Sequence, residues 1–278
     1  MIISNTLKFF FIHNPKVAGT SVRKSLLKYN SSEIELWHQR YIQSLDRIVD
    51  MSHLAARDVT HVLDIPEDYF KFGFIREPYD RFFSAVKEHS RQNSIDLSSK
   101  EVLSEFVLNS LTPTSVRFDW NFSHFCPQHY YFYEGNRRIA DFIGNHSNIE
   151  SDWKKILCVL QLDPELHQLS KERFTGSESM SYDSILKRLS LPALYRINQL
   201  YAKDWFWFGT YFQSKMLGGL PSGTHQDNVF NVRTLEGRST FYGEPDNLSV
   251  PEKLGFLTSR VESLQNQLKA LHENDIIS

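Results

Sequence analysis

The chain has 278 residues, 41% hydrophobic and 14% aromatic, with 31 basic and 33 acidic side chains and a formal charge of −2. That size sustains one large core, a domain of about 200 residues with an appendage. The near-balanced charge excludes non-specific nucleic-acid binding, which needs a basic excess, and the two cysteines, Cys126 and Cys158, exclude a disulfide framework and suit a reducing compartment.

The chain opens without a basic segment followed by a long apolar one, so no signal peptide is expected. No stretch reaches the roughly 20 apolar residues that span a bilayer, so no integral membrane segment is expected, and a cytoplasmic location is. Phe9–His13 is a continuous apolar run too short for a helix and is expected as a buried strand. It leads into Pro15-Lys16-Val17-Ala18-Gly19-Thr20-Ser21. The helix that follows is expected over Gly19–Tyr29, with Val22, Leu26 and Leu27 towards the core. Phe70–Ile75 is a second strand, and it leads into Arg76-Glu77-Pro78-Tyr79-Asp80-Arg81-Phe82-Phe83-Ser84. Helices are expected over Tyr79–Ser90, Val102–Leu111, Ile149–Leu162 and Leu191–Lys203. Tyr130–Tyr133 and Ile139–Ile143 are expected as short strands.

Strands alternating with helices argue for an α/β domain, residues 1–212, with a mainly parallel sheet whose ligands bind at the carboxyl ends of the strands. Residues 213–251 are rich in glycine and proline and are expected as a linker. Over 252–273, Leu257, Val261, Leu264, Leu268 and Leu271 recur at spacings of three and four. This heptad seam is either a helix packed on its own domain or a short coiled coil that makes a homo-oligomer.

Both motifs start where a strand ends and a helix begins, which is anion-binding chemistry. Gly19 allows a close backbone approach. Thr20 and Ser21 supply hydroxyls, and Lys16 supplies a full charge. The loop is not a Walker loop, because its lysine precedes the glycine and the four-residue spacer is absent. In the second motif Arg76 can hold a phosphate with two parallel bonds and Ser84 can donate a third. Pro78 suits the first turn of a helix. Arg81 either helps the anion or pairs with an acid.

Pro-Lys-x-Ala-Gly-Thr-Ser followed by Arg-x-Pro-x-x-Arg-x-x-Ser resembles the sulfotransferases that use 3′-phosphoadenosine 5′-phosphosulfate (PAPS). The likeness is to the carbohydrate branch that contains heparan sulfate 2-O-sulfotransferase and bacterial relatives. It continues at Cys126-Pro127-Gln128, Asp141-Phe142-Ile143-Gly144 and Tyr201-Ala202-Lys203-Asp204-Trp205-Phe206. The resemblance implies a P-loop-like three-layer fold. It implies that Lys16, Ala18, Gly19, Thr20 and Ser21 hold the 5′-phosphosulfate, and Arg76 and Ser84 the 3′-phosphate. The acceptor would be a hydroxyl of a carbohydrate or glycoconjugate, and no metal would be needed. Where many relatives read Arg-Phe-Glu-Asn-Leu, this chain reads Asn145-His146-Ser147-Asn148-Ile149, so no role of that arginine or glutamate transfers.

An attacking hydroxyl needs a base, and histidine titrates in the right range. His53 lies 23 residues before Arg76, comparable to the catalytic histidine of relatives, and is expected as general base. Lys16 would also stabilise charge on the bridging oxygen. His13 is expected to bond at the edge of the core. His124-x-Cys126-x-x-His129 has metal-ligand spacing, but no second cluster completes a site. The aromatics Trp205 to Phe208 are expected as core and groove wall. Two other functions stay open: a nucleotide-dependent phosphotransferase, or a non-catalytic nucleotide-binding scaffold.

Overall fold

The computed structural model describes residues 1–170, 181–212, 216 and 217. In chain order the strands are β1 (Ile2–Ser4), β2 (Phe9–Ile12), β3 (Gln39–Ile42), β4 (Arg47–Asp50), β5 (Phe70–Ile75), β6 (Tyr133–Glu134), β7 (Arg137–Arg138) and β8 (Phe142–Asn145). The helices are α1 (Gly19–Leu26), α2 (Ala56–Val62), α3 (Pro78–Asn93), α4 (Lys100–Ser110), α5 (Pro113–Phe118), α6 (His129–Phe132), α7 (Ile149–Val159), α8 (Tyr182–Arg188) and α9 (Leu191–Phe208). The central sheet has the order β1-β2-β5-β8. Its β2, β5 and β8 are parallel, with Phe11 beside Phe72 and Phe72 beside Phe142, and β1 is an antiparallel edge.

The sheet is buried on both faces, which is why β2 reads as an unbroken apolar run. Phe9, Phe11, Phe72 and Phe74 face one core with Val22 and Leu26 of α1 and Trp153, Ile156 and Leu157 of α7. Phe10, Ile12, Ile75 and Ile143 face the other, with Phe82 and Val86 of α3 and Leu194 and Ile197 of α9. Helices therefore cover a mainly parallel sheet on both sides, as the alternation of elements implied. The β3–β4 hairpin stands apart as a separate two-stranded sheet.

Two expected strands differ. Tyr130–Tyr133 is mostly the short helix α6. The Asp204 carboxylate of α9 accepts the backbone N–H of Gln128 at 2.8 Å and of His129 at 2.9 Å, and so caps that turn. The strand sought at Ile139–Ile143 starts at Phe142 instead. Asp141 locks the start of the pairing, giving its N–H to the Lys71 carbonyl and accepting the Lys71 N–H on its side chain, each at 2.7 Å. Apart from residues 216 and 217, the expected linker at 213–251 lies outside the described residues, as does the heptad helix at 252–273. Among the described residues, no helix is long and apolar enough to cross a membrane.

Candidate functional site

The first phosphate segment leaves β2 through Asn14, which is fully buried. Its side-chain N–H groups donate to the Phe74 carbonyl at 2.9 Å and to Oε1 of Gln128 at 3.0 Å. Gln128, also fully buried, bonds in turn to the backbone of Arg76, where the second segment leaves β5. One glutamine thus ties the two strand ends together, and Asp204 holds its backbone. The segments around Gln128 and Asp204, singled out in the sequence, supply this latch.

Between Asn14 and α1 the backbone turns left-handed twice, at Lys16 and at Ala18, each with φ of 65°. Non-glycine residues adopt that region at a cost of about 1–2 kcal/mol. No side chain caps the first turn of α1; the Ser21 N–H turns back to the Ala18 carbonyl at 3.0 Å, and the N–H groups ahead of it suit an anion. Gly19 has a more specific reason than close approach of a ligand. A Cβ there would lie 1.9 Å from Cδ2 and 2.1 Å from Nε2 of His13, so the His13 ring fills the space that a side chain would need.

Lys16, Ala18, Gly19, Thr20, Ser21, His53, Arg76 and Ser84, the whole set of expected site residues, line a single open cleft of about 500 Å³. That size suits a nucleotide-sized ligand. Arg76 gives Nη1–H to the Lys16 carbonyl at 3.4 Å. Its Nε is buried with no hydrogen-bond partner, an orphaned donor of the sort an anion would satisfy. The family model that matches this chain, over residues 1–211, is that of the sulfotransferase family. The chain belongs to the sulfotransferase family. No curated protein and no solved structure matches it.

Membership gives the reaction class, sulfuryl transfer. The Lys16 ammonium stands 3.5 Å from Glu88 of α3. Burial would raise the Glu88 carboxyl, but a hydrogen bond from Arg91 and the charge of Lys16 hold it down at about 2. Arg81 takes neither of its two expected roles. It is fully buried and donates to the carbonyls of His124 at 3.0 Å and Cys126 at 2.8 Å, so it fixes the wall of the cleft from behind.

His53 sits on the turn that follows β4, and its Nδ1 lies 2.7 Å from the His13 carbonyl. A carbonyl only accepts, so Nδ1 carries the hydrogen and Nε2 presents the lone pair. Burial lowers its basicity, partly offset by the Asp50 carboxylate and by the carbonyl bond. His13 is buried against Phe11, Trp37 and His53, and burial foremost holds its pKa well below the ordinary value.

Sequence reasoning missed several cleft residues. Trp37, Asp50 and Glu88 line it, as do Arg91, His124 and His146. His146, beside Arg76, is lowered to about 4 by burial and by that arginine's charge. The metal-like triple at His124, Cys126 and His129 is dispersed: His129 bonds Asp204 at 2.8 Å and Cys126 is buried, while His124 turns into the cleft. Asn14 and Gln128, which brace the cleft from beneath, were missed as well, although one stands at a strand end and the other inside a landmark. Trp205 and Phe208 are core as expected, and Trp207 stacks on Tyr133, but Phe206 faces outward.

Proposed function

We propose that this sulfotransferase moves the sulfuryl group of PAPS to a hydroxyl of a carbohydrate or glycoconjugate. The observation that carries the reading is the convergence of the Lys16 loop and the Arg76–Ser84 pair on one cleft, joined through Gln128. Two anion-reading groups on one cavity suit a nucleotide that carries two phosphate groups, and the orphaned Nε of Arg76 fits the 3′-phosphate. The carbohydrate acceptor rests on the motif resemblance.

In this reading the acceptor oxygen attacks sulfur in line as its proton passes to Nε2 of His53. The bond from sulfur to the bridging oxygen breaks, and adenosine 3′,5′-bisphosphate leaves. Lys16 gives up Glu88 for that oxygen, where an ammonium is worth most in the transition state. The two left-handed residues set the loop's shape before the donor arrives.

Calorimetry with adenosine 3′,5′-bisphosphate and with AMP tests the donor. The bisphosphate should bind at least tenfold tighter, and Arg76→Ala with Ser84→Ala should erase the difference. Equal affinity for the two nucleotides in the unaltered protein refutes the reading.

A further inference from the structure

Three polar groups that line the cleft are of metal-ligand type and stand together. Asp50, His53 and His124 each offer one ligating atom, and these atoms lie within 4.8 Å of one another. They come from the end of β4, the turn after it and the turn over residues 120–125. Asp50 and His53 are three residues apart, and the fold brings His124 to them from more than seventy residues away.

Each of the first two ligands is steadied from behind. His53 gives its Nδ1 hydrogen to the His13 carbonyl, which makes Nε2 its ligating nitrogen. Asp50 accepts the Ser52 N–H at 2.9 Å and the Ser123 hydroxyl at 3.1 Å. Outer bonds of this kind orient metal-bound imidazoles and carboxylates. Two imidazoles and one carboxylate, open to a cleft on the remaining side, are a donor set for zinc-class cations. Zinc bonds of about 2.0–2.2 Å place tetrahedral ligand atoms roughly 3.4 Å apart, so small side-chain turns would close the set. The Lys16 ammonium opposes a cation here, while the Glu88 carboxylate favours one.

We propose that Asp50, His53 and His124 form a binding site for a zinc-class divalent cation, and that the bound cation takes the His53 nitrogen needed for proton transfer. The blocking half rests on His53 being the base; the site itself does not. A transferase that works without metal would then carry a zinc-dependent off state in its own cleft.

Cobalt(II) is the probe, in full-length protein with Cys158→Ser so that this exposed thiol takes no part. One equivalent should bind with the visible bands of a four- or five-coordinate ion, and zinc should displace it. His124→Gln and Asp50→Asn should each weaken binding at least tenfold. Zinc should also move the ring resonances of His53 and His124 while leaving those of His61 and His167 in place, a check that needs no substitution. The spectrum of a six-coordinate aqua ion, or unmoved His53 and His124 resonances, overturns the site. In the transfer assay zinc should inhibit at the concentration that displaces cobalt, and a chelator should restore the rate. Full turnover by the metal-loaded protein overturns the blocking half and the base assignment together, while the cobalt spectrum still upholds the site.

Discussion

The side-chain amide of Gln128 bonds both backbone groups of Arg76: Oε1 accepts the Arg76 N–H at 2.9 Å, and Nε2 donates to its carbonyl at 2.8 Å. This is the pattern of a neighbouring strand, made by a side chain just past the end of β5. Gln128→Ala removes it and leaves buried groups unsatisfied, at a cost of about 3 kcal/mol. Urea unfolding should show that loss, and bisphosphate affinity should fall with it, because Arg76 and Asn14 share the same partner. A variant with native affinity would separate the latch from the cleft.

Gly19→Ala is expected to damage the site through His13. The clash is steric, and overpacking of this kind costs about 1–3 kcal/mol. The double variant Gly19→Ala with His13→Ala should recover stability, so the two effects are non-additive. Gly135→Ala is the contrast. There φ is 59° and no atom lies within 4 Å of the added Cβ, so the cost is conformational, about 1–2 kcal/mol, and no second substitution should repair it. Melting temperatures of the set decide between the two causes.

Lys16→Ala should lower kcat by about 10²–10³, the usual loss when one transition-state donor is removed. His53→Ala should lower it by about 10²–10⁴ while leaving bisphosphate binding near native. Circular dichroism checks the fold, and undiminished turnover in His53→Ala rejects it as the base.

The hairpin that carries Asp50 to the cleft is bolted down by charge. Asp58 of α2 accepts from Arg47 of β4 at 2.7 Å and from Arg117 of α5 at 3.0 Å. Burial would raise its carboxyl, but the charges of Arg117 and Arg47 outweigh that and hold it at about 2, below the ordinary 3.8. A folded pKa below the unfolded one stabilises the protein above the unfolded value. That contribution, about 2 kcal/mol by linkage, should be complete above 3.8 and be lost as pH falls through 2. Asp58→Asn strands two buried cations and should cost about 3–5 kcal/mol near neutrality. Urea unfolding along an acid series should show the gap between the two proteins closing; a constant gap contradicts the assignment.

The part of the cleft built from the two loops was legible because it is local. Lys16 to Ser21 and Arg76 to Ser84 each occupy one strand–helix junction, and apolar runs such as Phe9–Ile12 mark the strands. The β3–β4 hairpin was not legible: Gln39, Arg40 and Tyr41 are exposed on a strand with no apolar alternation. His124 was missed because long-range folding sets it beside His53, and Asp50, only three residues before His53, was missed because it ends a strand that no apolar pattern marks. Arg81 was misread because charge suggests an ionic partner, whereas burial gave it two backbone carbonyls. α6 defeated an aromatic, strand-like composition because its cap, Asp204, lies 75 residues away.

The left-handed turns at Lys16 and Ala18 mean that the lysine loop is not a portable cassette. Neither residue prefers that backbone, so a free peptide of this sequence would relax out of it, and a transplant lacking His13, Asn14 and the Gln128 latch would carry the letters without the grip. Redesign of donor choice in this scaffold should therefore begin with the supports beneath the loop.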